Sequence, residues 1–190
     1  MRNTIAVRNE PIYLAAIVHD EDSSTAQKVL DGCIGRLKTQ GVCVQGLNNA
    51  VYVQEDGRTD KCVVSLDGLH TYLIFQDLGT ESQSCRLNPA VLAEAATVLH
   101  EVRSNRPDLV IINRFGVVEA RGEGLIQEFA DLFSDGLPVL TLLNRKYLQQ
   151  WQEFTGGMAE ILPAEEAAVN NWLRRIGVTA GGCGKHCVNR

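Results

Sequence analysis

The chain is predicted to be an α/β protein, a three-layer arrangement in which a mainly parallel sheet is covered by helices and carries an antiparallel, β-rich insert. Two observations predict this. Apolar, strand-like runs alternate with amphipathic helical segments at both ends of the chain, the order that crossover connections wind into a parallel sheet. Between them, across residues 42–79, short strand-like stretches follow one another with only turn residues between, as in hairpins. A length of 190 residues with 45% hydrophobic content suits one domain over residues 1–178, with a flexible Cys/His-containing tail at 179–190.

Each element has its own warrant. Residues 11–20, PIYLAAIVHD, are apolar without alternation, as in a central strand covered on both faces. In the next segment Ala26, Val29, Leu30, Cys33, Ile34 and Leu37 recur at helical spacing, with Asp22 or Ser23 to cap the start and Gly41 to end it. VCVQG, AVYVQE, KCVVSLDG and HTYLIFQDLG read as four short strands. Asn88 then caps a helix with Pro89 at its first position, and Pro107 stops it. DLVIINRF is a second buried strand, and a helix follows with Leu125, Ile126, Phe129, Leu132 and Phe133 inward. LPVLTLL is a third parallel-type strand, RKYLQQWQEFTG a helix, MAEILP a short strand and AEEAAVNNWLRRIG the last helix.

Composition removes several classes of function. The net charge is -5 and no Lys/Arg run stands out, so no nucleic-acid partner is expected. No apolar run approaches the roughly 20 residues that span a bilayer, so no membrane insertion is expected. MRNTIAVRNEP has no secretory apolar core, so a cytoplasmic location is expected, and with it reduced cysteines. Of the six cysteines, Cys33 and Cys43 read as small buried hydrophobes.

Four places carry candidate chemistry. The turn after the first strand, VHDEDSSTAQK, lies where a phosphate-binding loop would lie. Ser23, Ser24 and Thr25 stand near the usual Gly-Lys-Ser/Thr, but the turn has no glycine, and Lys28 lies a turn into the helix. Its acidic residues oppose a polyphosphate, while the helix start offers N–H groups to an anion. The second place is NRFGVVEARGEGL, residues 113–125, at a strand end where ligands sit in such sheets. Asn113 and Arg114 are candidate ligand contacts, Arg114 by bidentate bonding to an oxyanion. Gly116 is expected to allow an unusual turn, and Glu119 is the candidate acid/base, should the protein be an enzyme. Third, Arg86 and Cys85 precede the Asn88 cap, an anion-friendly position that could activate the thiol. Fourth, Cys183, His186 and Cys187 in the tail are soft ligands that suit zinc, copper or iron.

NRFGVVEARGEGL, with CRLNPAVLAEA at 85–95, CVVSLDGL at 62–69 and the late W…FTGG…ILP…W, resembles a bacterial domain family of unknown function related to P-loop nucleoside-triphosphatases. Its members occur near or fused to molybdenum-transport components. The resemblance runs from about residue 12 to 173 and implies a P-loop-NTPase-like fold. The thermophile-type triphosphatases of that group carry Asp-Glu-x-Gly-x-x-Glu at the same strand end. Here Gly116 and Glu119 remain, and Asn113 and Arg114 replace the leading carboxylates. The expectation is a binding or accessory protein on a degenerate P-loop fold. It would hold an oxyanion or metal-containing ligand, molybdate or a molybdenum cofactor being what the resemblance implies. Its contacts would be Asn113, Arg114 and Ser23–Thr25, with Arg86, Cys62 and Cys85 near. The alternative is a divergent nucleoside-triphosphatase or nucleotide-dependent transferase with Glu119 as base. A homo-oligomer or a partner in metal metabolism is a further expectation.

Overall fold

The structure, a computed structural model, describes residues 12–54, 56–73, 75–76 and 86–179. The first strand, β1 (Leu14–His19), is buried along all six residues. Leu14, Ala16 and Val18 enter one hydrophobic core, and Ala15 and Ile17 enter the other. Its lack of alternation therefore has the expected cause, cover on both faces. α1 (Ser24–Thr39) buries the predicted stripe, Ala26 through Leu37.

β2 (Val44–Val53) is one strand where two had been expected. Its first three residues pair in parallel with β7 (Leu109–Phe115), and its last seven pair antiparallel with β3 (Thr59–Ser65). Gly46, at φ +118°, sits at the changeover, where a side chain would meet the Ile111 backbone. The expected strand at 70–79 is broken into β4 (Thr71–Tyr72) and β5 (Phe75–Gln76), and β5 pairs with β6 (Arg86–Leu87), which was not expected.

α2 (Pro89–Asn105) starts as predicted. The Asn88 side chain accepts from the N–H groups of Ala90 and Val91, and Arg106 closes the helix in the left-handed region ahead of Pro107. α3 (Ile126–Ser134) starts later than the expected helix because Gly122 and Gly124 adopt positive φ. β8 (Val139–Asn144), α4 (Leu148–Thr155), β9 (Glu160–Pro163) and α5 (Glu166–Arg175) complete the chain.

The main sheet has seven strands in the order β4-β3-β2-β7-β8-β1-β9. Five adjacent strands, β2 to β9, are parallel, and the antiparallel insert lies at one edge as predicted. α1 and α5 cover one face around Trp172; α2, α3 and α4 cover the other around Phe115, Phe129 and Trp151. Phe129 and Trp151 meet edge-on at 6.0 Å, a favoured aromatic geometry. No helix among the described residues is long and apolar enough to cross a membrane.

One consequence of this order positions the site. β1 and β8 are neighbours in parallel register, His19 beside Asn144. The helix after β1 packs on one face and the helix after β8 on the other, so the chain parts at their carboxyl ends. Such a switch point leaves a crevice where ligands of open α/β sheets bind.

Candidate functional site

Four residues, 20–23, join β1 to α1 along one wall of the crevice. The Asp22 carboxylate accepts from the Ser24 N–H and hydroxyl, each at 2.8 Å. Asp22 therefore caps the helix, and Ser23, the residue at the cap position, makes no side-chain cap bond. These bonds hold the Asp22 carboxyl below its usual pKa. An incoming anion would compete at the helix start with the protein's own carboxylate.

The same arrangement recurs at the end of β7. Glu119 is 8% exposed. One of its oxygens accepts from the Gly116 N–H at 2.9 Å and the other from the Leu125 N–H at 3.3 Å, ahead of α3. Its carboxylate staples the 113–125 loop to the start of that helix. Gly116 does not adopt positive φ, contrary to expectation; Gly122 and Gly124 do, at +80° and +64°. A side chain on Gly124 would come within 2.5 Å of a Glu119 oxygen, so this glycine makes room for the carboxylate.

Asn113 is 7% exposed, and its side chain donates to the Asn49 amide oxygen at 3.1 Å. Asn49 donates back to the Asn113 carbonyl and to Gln27 on α1. Gln27 donates to Asn48 and Asp31. This amide chain ties α1 and β2 to the end of β7. Arg114 projects to solvent and enters none of the described ion pairs. Partial desolvation lowers its pKa and the nearby Glu119 charge opposes that, but a guanidinium stays protonated in either case.

The ends of β1 and β8 are joined through residues that the sequence reading did not select as contacts. The Asp20 carbonyl accepts from His19 Nδ1 at 2.6 Å and from the Asn144 amide at 2.9 Å, and the Asp20 carboxylate pairs with Arg145 at 2.8 Å. The one available signal was that His19 and Asn144 each close an apolar strand run.

The structure thus brings Ser23–Thr25, Asn113, Arg114, Gly116 and Glu119 to one end of the sheet. Ser24 and Thr25 are exposed there. Cys62 is set apart, buried in β3 with β2 between it and β7; burial raises its thiol pKa. Arg86 lies in β6, paired with Gln76. Cys85, Cys183, His186 and Cys187 fall outside the described residues, and no group of three or more metal-ligating side chains occurs among the described ones. Cys33 and Cys43 are buried as expected, but Cys43 is disulfide-bonded, contrary to the expectation of reduced thiols. Burial pushes the Cys33 thiol up to about 11. Cys33 is therefore expected to resist iodoacetamide at pH 8 in the native protein and to react after denaturation, as mass spectrometry of the alkylated peptides would show.

Strand order and switch point define an α/β fold like that of the P-loop nucleoside-triphosphatases, with a short acidic turn after β1. The chain belongs to the family described as "Protein of unknown function (DUF2478)", whose model matches residues 14–172. It is 37% identical over 101 residues to the Molybdenum import ATP-binding protein ModC 2 of Bradyrhizobium diazoefficiens. That match takes in 53% of this chain and only 11% of the relative's length. The fold is similar to the solution structure of a human cancer-related nucleoside triphosphatase, with a TM-score of 0.61 and 15% identity over 86% of this chain and 95% of that one. It is also similar to the crystal structure of THEP1 from the hyperthermophile Aquifex aeolicus, with a TM-score of 0.55 and 15% identity over 88% and 99%.

Proposed function

We propose that this chain is a binding protein built on the nucleoside-triphosphatase fold, which holds a small phosphate-bearing or oxyanion ligand at the β1–β8 crevice without the ordinary phosphate-transfer apparatus. One observation carries the reading. At this end of the sheet Asp22 accepts from the Ser24 N–H and Glu119 from the Gly116 and Leu125 N–H groups, and Arg114 enters no ion pair among the described residues. A magnesium ion of the kind P-loop enzymes use finds Asn113 and Arg114 where strand-end carboxylates would hold it, so no hydrolytic step is assigned. The fold likeness supports a nucleotide as ligand; a molybdate ligand has the support of the 101-residue match alone.

Calorimetric titration with ATP and magnesium, ADP, inorganic phosphate and molybdate tests this. The expected result is binding without phosphate release. Arg114→Ala is expected to weaken binding at least about tenfold, the loss of one charge-assisted contact, with the unfolding midpoint unchanged. Failure of all four probes to bind, or Arg114→Ala binding like the native chain, sinks the assignment. The second reading, a divergent nucleoside-triphosphatase or nucleotide-dependent transferase, is favoured by the fold likeness over 86% of the chain. Magnesium-dependent phosphate release that follows protein concentration would establish it instead.

A further inference from the structure

His19 is 8% exposed and closes β1 at the floor of the crevice. Its Nδ1 lies 2.6 Å from the Asp20 carbonyl. A carbonyl oxygen only accepts, so Nδ1 carries a proton, and in the neutral ring Nε2 then presents a lone pair. Asn144 donates to the same carbonyl and Arg145 holds the Asp20 carboxylate, which clamps the acceptor that orients the ring. Nε2 makes no hydrogen bond with any described residue. It is not among the side-chain atoms sealed from solvent without a partner, which are Glu128 Oε2, Gln150 Oε1 and Trp151 Nε1. Nε2 therefore keeps contact with solvent. Burial, with the Arg114 charge acting in the same direction, lowers the pKa of the ring against the opposing pull of the Asp20 carbonyl and the Asp20 and Asp22 charges.

Glu119 has both oxygens engaged, so His19 is the ring base left free beside the Arg114 cation. β1 and β7 end at the same edge of the sheet with β8 between them, and the Arg114 charge reaches the His19 ring, so an anion held at this edge can meet both. An oxygen that still carries a proton donates to Nε2; a bare oxyanion oxygen is repelled by it. Resting on the crevice reading above, we propose that His19 Nε2 is the specificity-determining acceptor of this site, and that with Arg114 it selects anions that keep a proton at neutral pH, as inorganic phosphate does, over fully deprotonated oxyanions such as sulfate and molybdate. A site with a buried acceptor discriminates strongly, because the wrong ligand leaves that acceptor unpaired or opposed.

The test uses the full chain at neutral pH, where inorganic phosphate carries a proton and sulfate and molybdate do not. Calorimetry is expected to show phosphate bound at least about tenfold more tightly than either of the others, roughly one hydrogen bond's worth of selectivity. His19→Asn keeps a side-chain N–H close to the Nδ1 position and removes the Nε2 acceptor. It is expected to abolish the preference by weakening phosphate binding alone. Arg114→Ala weakens whichever anions bind, preference or none, and so reports on the crevice reading separately. Long-range proton–nitrogen correlation spectra of the unliganded native protein should show the Nδ1–H tautomer of His19. Equal binding of phosphate and molybdate overturns the proposal while leaving the crevice reading standing. An Nε2–H tautomer or an imidazolium in the free protein also overturns it. Binding of neither anion removes the proposal, and the crevice reading falls with it when ATP and ADP also fail to bind.

Discussion

Gly46→Ala is expected to leave the chain largely unfolded, or to cost at least about 4 kcal/mol where it still folds. Gly46 stands at φ +118°, a conformation that L side chains rarely adopt. An added Cβ would lie 2.1 Å from the Ile111 carbonyl oxygen and 3.0 Å from two further backbone atoms of Ile111. No rotamer change relieves a clash between backbone and Cβ. The β2–β7 pair would have to separate, and it is the seam between the parallel strands and the antiparallel insert. Urea denaturation followed by circular dichroism measures the loss. A midpoint within error of the native one would show that β2 does not make this changeover at Gly46.

Glu119→Ala is the second large effect. It removes the acceptor from two backbone N–H groups, Gly116 and the buried Leu125. An orphaned buried donor costs about 1–3 kcal/mol, so a loss of roughly 3 kcal/mol is expected, with the 113–125 loop released from α3. Glu119→Gln keeps one acceptor oxygen but turns an amide donor toward the other N–H, so it should lose about half as much. The pair also decides between roles. A staple shows itself as graded loss of stability in both variants. A catalytic base would show unchanged stability in Glu119→Gln together with loss of any nucleotide turnover. Thermal unfolding of the two variants beside the native chain separates these outcomes.

Much of the architecture was legible because its causes are local. β1 could be read from an unbroken apolar run, α2 from Asn88, Pro89 and Pro107, and α1 from its stripe of buried residues. These features follow from burial of both faces, from capping chemistry and from helical periodicity, each contained within a few neighbouring residues. The insert was legible as β-rich and antiparallel, but the continuity of β2 was not. Gly46 reads in sequence as a break between two strands. Only its position against Ile111 shows that it bends one strand and lets it change partners.

The candidate site divides in the same way. Asn113 and Arg114 could be picked from the sequence because polar residues closing a buried strand mark the ligand end of a parallel sheet. Residue types at one strand end named the place but not its contents. Arg145 meets Asp20 across 125 positions of sequence, and Asn49 meets Asn113 across 64. The tertiary structure alone decided that Asp22 accepts from the Ser24 N–H and Glu119 from the Gly116 and Leu125 N–H groups, and that the His19 ring is turned with Nδ1 toward Asp20. The reason is physical. A carboxylate's role depends on which donors the folded chain aims at it, and those donors are brought together by strand pairing and helix placement rather than by spacing along the chain.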